Sequence, residues 1–456
     1  MNRRRFLSLF GTVALFSAVP FSSSAQTMPI SGAQLRGRKS ATDYDVVPDV
    51  AVDQSALFQA MVDAAAANGE AIFLPGGMYV LSGIHLPSGL RLEGIPGRTQ
   101  LVHAGTGALF RANDGESVTL RGLVIDGLDR AADENEGLID LRNVAGLDIS
   151  TCTLRGAGAN AVYLEGCSGR LQGNSISDAR LFAVFSIDGA GLSISGNNIR
   201  DCRNGGVIIH RSAPGHDGAI VTGNRISDTG ADNGGTGQWG NAINFFRTDD
   251  VVAANNVISS SAFSAIRGNN VRGMQVTGNI CRDSGETAIY AEFAFEDAII
   301  ANNMIDGAAN GISATNLDHG GHGATITGNI IRNLRTTGPY DPDFPGFGTG
   351  IGVEADATVT GNVIDGAPLY GINAGWGPYL RDVVVSANTI RGARFGIGVS
   401  AADGAGHALI RGNLISARET GIQAHEWGKP AAPDLLAEPE SAPSNVMLSG
   451  NIATSG

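Results

Sequence analysis

The chain has 456 residues, with 65 glycines, 16% charged residues and a formal net charge of −13. It is too apolar for a disordered chain and too glycine-rich for a helical bundle, which leaves many short strands joined by tight turns. The acidic balance excludes the basic footprint of a nucleic-acid binder, and lysine occurs only at Lys39 and Lys429, so no lysine chemistry belongs to the middle of the chain.

The first stretch, "MNRRRFLSLFGTVALFSAVPFSSSAQ", reads as an export signal: a basic start, a short apolar run, then small residues before Gln26. Arg3-Arg4 followed by Phe6-Leu7 resembles the twin-arginine pattern. That resemblance implies the twin-arginine translocase as a partner during export, cleavage after Ala25, and a periplasmic or secreted bacterial protein. The apolar run is too short for a permanent span, and no later segment is long enough for one.

A polar stretch follows to about Thr42. "VDQSALFQAMVDAAAANG" then predicts a helix, with Asp53 as cap, Leu57, Phe58, Met61 and Val62 at helical spacing, and Asn68-Gly69 as the stop. Short strands with Gly and Pro turns come next. The expected organisation is a signal over 1–25, a polar segment with capping helix and first coils over 26–117, and repeats over 118–456. Cys152, Cys167, Cys202 and Cys281 fit neither a zinc site nor a redox pair, and read as buried free thiols.

The repeat is explicit. "SISGNNIRD", "IVTGNRISD", "QVTGNICRD", "ITGNIIRN" and "LIRGNLISA" are versions of one phrase. Aligned on the Asn of Gly-Asn, the positions are Asn174, Asn197, Asn224, Asn255, Asn279, Asn302, Asn329, Asn362, Asn388, Asn413 and Asn451, with Cys152 and Leu123 in the equivalent places further upstream. A fixed period of this size means a solenoid, because each unit is too small to bury its own apolar face. Within each strand the apolar residues alternate, so each strand has an inner and an outer face. The Asn is expected at a corner, where it tolerates the left-handed region and stacks its amide in a ladder from coil to coil. A second phrase recurs in each unit, as in "GISA", "GINA" and "GIQA".

The pattern resembles the right-handed parallel β-helix of the pectate-lyase-like superfamily, and the helix-bearing start resembles its N-terminal capping segment. With the twin-arginine start it also resembles a family of exported repeat proteins. The resemblance implies an all-β, right-handed single-stranded parallel β-helix of about 13–14 coils with a helical N-terminal cap. It implies a substrate groove along the Gly-Ile strand, and it does not fix an activity.

If the Ile of that strand points inward, the next residue points out. The outward row is then Tyr163, Phe185, Ile208, Asn244, Arg267, Tyr290, Ser313, Gly352, Asn373, Gly398 and Gln423. Two residues on, Asn269, Glu292, Glu354 and His425 enter the turn, and Trp376 enters it three residues after Asn373. Long insertions border this strip and carry Trp239, Tyr340, Phe344, Tyr379 and Trp427. Aromatic rings in an open groove suit sugar rings, so a polysaccharide is the expected partner, held by Asn244, Asn269, Asn373, Trp239, Trp376 and Trp427. The candidate reactive cluster is Arg267, Tyr290, Glu292, Asp318, His319 and Glu354. Glu292 and Glu354 fall two coils apart, roughly 10 Å at the strand spacing, near the wider carboxylate separation of inverting glycoside hydrolysis. Arg267, Tyr290 or His319 could instead abstract a proton in a lyase reaction. The competing class is a non-catalytic envelope or surface protein that binds glycan or protein.

No cofactor is evident. His319, His322 and Asp318 lie close in sequence, but nothing further supports a divalent cation. "GHG" at Gly321–Gly323 resembles the polygalacturonase histidine motif, yet that family's other motifs are missing: "TDD" at Thr248–Asp250 lies three coils upstream, and no lysine follows until Lys429.

Overall fold

Each strand pairs in parallel with the equivalent strand one coil later. One row runs Leu120, Ile149, Leu171, Ile194, Val221, Ala253, Val276 in direct register, and all seven are buried. The computed structural model describes residues 37–235 and 237–454. The export-signal residues, Arg3, Arg4, Phe6 and Leu7 among them, lie outside the described residues.

The result is an all-β parallel solenoid of about 14 turns with one short helix near its start. A 16-stranded sheet forms one wall, and the remaining strands form the other two sides of each coil. Among the described residues, the single antiparallel pair of strands is Lys429–Pro430 folded against His425 and Glu426. The core is a column of Ile, Val, Leu and Ala running the length of the solenoid. Each large aliphatic side chain buried there stabilises the fold by roughly 1.5–3 kcal/mol. All four cysteines are free and buried.

The helix spans Ser55–Ala67 and buries Phe58, Met61, Val62 and Ala65 over the first coils. Two expectations shift here. Leu57 faces solvent at 48% exposure. Asp53 is not the cap residue; it sits one position earlier, and its Oδ1 accepts the Ser55 N–H at 2.8 Å.

The corner ladder is present, with two members and one reason corrected. Asn256 and Asn303, not Asn255 and Asn302, occupy the buried rungs. Asn255 and Asn302 take the place that glycine holds elsewhere, at φ +55° and +57°, while Gly173, Gly223 and Gly361 stand there at +64° to +65°. The left-handed residue is therefore the one before the ladder Asn. The ladder Asn itself turns inward. In a typical rung, Asn279 Nδ2 donates to the carbonyl of Ala253 one coil back and to Oδ1 of Asn303 one coil on, and its own N–H donates to that same Oδ1. The pattern runs unbroken from Asn174 to Asn451, and Cys152 N–H closes its start on Asn174 Oδ1 at 2.9 Å. Each amide satisfies buried backbone groups at a tight corner, where an unmade bond costs roughly 1–3 kcal/mol.

Candidate functional site

The strand after the corner strand carries the outward row in continuous register. Asn244 pairs with Arg267, Arg267 with Tyr290, Tyr290 with Ser313, Ser313 with Gly352, and Gly352 with Asn373. Alternation holds their side chains on one outer face, flanked by inward Ile266, Ile289, Ile312, Ile351 and Ile372. The turn row follows through Asn269 and Glu292. Gly375, not Trp376, continues it beside Glu354. Val353 pairs with Ala374, so Gly375 stands opposite Glu354 and Trp376 lies one residue beyond, where it bridges to Tyr379.

Two pockets open on this face. The larger, about 380 Å³, is lined by Tyr290, Asn310, Glu354, Tyr370, Asn373 and Trp376 among others. Phe344 forms its outer lip and lies 69% exposed, with its ring 5.9 Å from Trp376. Trp427 meets Trp376 edge-on at 6.4 Å. The smaller pocket, about 230 Å³, lies toward the N-terminal side and is lined by His210, Gly237, Gln238, Asn244, Phe246 and Asn269.

Of the six candidate reactive residues, the larger pocket takes in Tyr290 and Glu354. Glu354 is 8% exposed, and its Oε2 accepts the Leu317 N–H at 2.7 Å. Burial pushes its carboxyl up to about 7, against the backbone N–H groups of Leu317 and Asn316 that favour the anion. Tyr290 is held well above the ordinary phenol range by burial, with Glu292 and Glu286 adding to the shift.

Arg267 and Glu292 lie between the two pockets and engage each other. Arg267 Nε donates to Glu292 Oε1 at 2.7 Å, and Asn269 Nδ2 donates to the same oxygen at 2.6 Å. Burial pushes the Glu292 carboxyl up while Arg267 pulls it down, and burial wins. The Arg267 guanidinium also sits 5.5 Å from the Tyr290 ring and donates to the Gly237 carbonyl at 3.2 Å. Asp318 and His319 pair with each other at 3.0 Å on the surface and line neither pocket. His322 turns instead to the Gly320 carbonyl at 2.8 Å. Among the described residues, no three His, Cys, Asp or Glu side chains gather as a metal site.

The six candidate binding residues divide too. Asn373 and Trp376 line the larger pocket, and Asn244 and Asn269 the smaller. Trp239 does not: it stacks on Phe182 at 5.2 Å and covers a satellite apolar cluster of Ala159, Leu181, Phe182 and Ile208. Trp427 supports Trp376 from behind the lip and is 48% exposed.

Glu286 and Asn310 were not singled out from the sequence. Glu286 is buried beside the larger pocket and accepts the Tyr340 hydroxyl at 2.6 Å. Asn310 Oδ1 accepts the N–H groups of Gly348 and Thr349, both at 3.0 Å, and so ties the 340s insertion to the groove. A signal existed. Asn160, Asn204, Asn241 and Asn310 recur just ahead of the Gly-Ile strand, a second asparagine set weaker than the first.

The model of a family described as "Right handed beta helix region" matches residues 137–234 and 214–381. No curated protein matches the sequence. Among solved structures, the N-terminal fragment of bacteriophage phi29 gene product 12 aligns with a TM-score of 0.52 at 14% identity, covering 85% of this chain and 71% of that one. The catalytic unit of an alpha-1,3-glucanase from Streptomyces thermodiastaticus aligns at 0.45 and 14% identity, covering 91% and 69%. PfbA, a surface adhesin of Streptococcus pneumoniae, aligns at 0.44 and 15%, covering 79% and 93%. At these identities the likeness is one of fold.

Proposed function

This chain belongs to the right-handed β-helix family, and from that premise we propose that it binds a polysaccharide in the groove between Arg267 and Trp376. One observation carries the reading: the larger pocket sets an aromatic wall of Phe344, Tyr370 and Trp376 against the polar groups of Asn310, Asn373 and Glu354. A sugar ring presents that same combination, an apolar face with a polar rim. With the export signal read at Arg3-Arg4, such a protein would pass through the twin-arginine translocase and work on glycans in the periplasm or outside the cell.

A second reading adds cleavage. Glu354 is the only carboxyl lining the larger pocket among the described residues, and burial raises its pKa to about 7, so it is largely protonated below about pH 6 and still about half protonated at neutral pH. That is the state a general acid needs to protonate a glycosidic oxygen. Glu292, two coils away, stands roughly 10 Å off at the strand spacing and would serve as the base. It would first have to leave its pair with Arg267. Elimination has weaker support: the Tyr290 phenol is pushed up, away from a base's range, and His319 lies outside the pocket.

The test is a polysaccharide panel on the purified protein, followed by binding, by reducing ends and by absorbance from unsaturated uronates. Binding with new reducing ends that Glu354→Gln abolishes supports hydrolysis. Binding without turnover supports the module alone. Absence of binding across neutral and acidic glycans contradicts the proposal and favours a protein partner.

A further inference from the structure

The smaller pocket holds two polar atoms with nothing to bond. Asn244 is 2% exposed, and its Oδ1 is buried without a hydrogen-bond partner, while its Nδ2 is spent on the Gly237 carbonyl at 3.3 Å. His210 Nε2 is likewise buried and unpartnered. Both residues line the pocket, and Phe246 gives it an apolar side. A buried acceptor left unmade costs roughly 1–3 kcal/mol, so the site is built for something that supplies a proton. A hydroxyl does so, and can also accept from or donate to a neutral imidazole. In the free protein a water can fill the same place until a ligand hydroxyl displaces it.

The charge around the groove narrows the ligand. No Lys or Arg lines either pocket among the described residues. Arg267, between them, is already committed to Glu292 and to the Gly237 carbonyl. A carboxylate or sulfate in the smaller pocket would face the bare Asn244 oxygen, and the Arg247 guanidinium, 4.7 Å from the Phe246 ring, is not among the lining residues and donates to the Ser212 carbonyl instead. In the larger pocket, too, no cation among the lining residues would pair with such an anion. Burying such an unpaired charge is strongly unfavourable.

Asn244 and Ser313 stand three coils apart on one row, about 14 Å at the strand spacing, so an extended oligosaccharide can reach both pockets. We propose that the pocket of His210, Asn244 and Phe246 is a second sugar subsite, and that the groove selects an uncharged glycan. The proposal rests on the groove reading above.

The test uses a length series of neutral oligosaccharides and a matching series of uronate oligosaccharides, with affinity measured by calorimetry. Asn244→Leu is expected to weaken the long neutral members at least tenfold and to leave the shortest that still bind unchanged. Gln238→Trp fills the same pocket from its loop, leaves the core untouched, and should reproduce that length-dependent loss if Asn244→Leu folds poorly. Trp376→Ala should weaken every length. If Trp376→Ala weakens binding but both smaller-pocket variants bind all lengths like the wild type, the subsite is overturned and the groove reading stands. If uronates bind more tightly than neutral chains, the selectivity is overturned. If the unaltered protein binds neither series, the groove reading falls and the subsite with it.

Discussion

His425 Nε2 lies 2.9 Å from Asn373 Oδ1, while His425 Nδ1 accepts the backbone N–H of Gly428 at 3.3 Å. The Gly428 N–H can only donate, so Nδ1 is bare and the proton sits on Nε2. Both bonds together require a neutral ring. Burial agrees, pushing the His425 pKa down to about 4.

The sign of the pH effect follows. The folded pKa lies below the unfolded value near 6.5, so His425 contributes stability that is present above about pH 6.5 and is lost as pH falls through about 4. His210, also pushed down to about 4 by burial, acts in the same direction. Gly428 packs on Phe344 and Trp376, so protonating His425 should loosen the aromatic wall. Tryptophan fluorescence is expected to change, and the melting temperature to fall, between pH 6.5 and 4. In His425→Gln, whose amide can still donate to Asn373, the melting curve should lose about half of that acid sensitivity.

Glu354 works in the opposite direction. Its folded pKa, about 7, lies above the ordinary glutamate value of 4.5, so the folded state holds a proton that the unfolded state releases. The stability it contributes in acid is lost as pH rises from about 4.5 to about 7. The shift corresponds to about 3 kcal/mol at its full extent. Glu354→Gln keeps the Leu317 N–H acceptor and removes the ionisation. Denaturant unfolding should find it about 1–3 kcal/mol more stable than the wild type at pH 8 and equal to it at pH 4. Equal stability at both values would mean that Glu354 is not held neutral.

Neighbouring asparagines give a third test. Asn256 is a rung: it donates to Val221 O and Asn279 Oδ1, and its Oδ1 accepts from Asn224. Asn255, beside it, turns the backbone at φ +55°. Asn256→Ala leaves buried partners unmet and should cost about 2–5 kcal/mol by chemical denaturation. Asn255→Gly takes the residue most repeats already use and should change stability by less than about 1 kcal/mol.

That pair also shows where the sequence speaks and where it stops. The period, the alternation and the outward row from Asn244 to Asn373 are visible in it, because every coil must bury the same positions. The ladder slipped by one at Asn255 and Asn302 because "ANN" offers two asparagines where other coils have Gly-Asn, and only backbone φ separates them. The surface position of Asp318 and His319 and the packing of Trp239 on Phe182 depend on loop paths that no repeat dictates, and the pairing of Arg267 with Glu292 depends on a side-chain rotamer that strand register leaves open. Glu286 precedes the Gly-Ile strand, where no outward row marks it, and only its bond to Tyr340 ties it to the groove.

The groove is proposed to hold a glycan against Trp376. Titrating the purified protein with a panel of polysaccharides, alongside Trp376→Ala checked for an unchanged melting curve, tests it directly. At least one glycan should bind, and the substitution should weaken that binding by about 2 kcal/mol, on the order of thirtyfold. Binding that survives the substitution unchanged, or no binding by the unaltered protein, would contradict it.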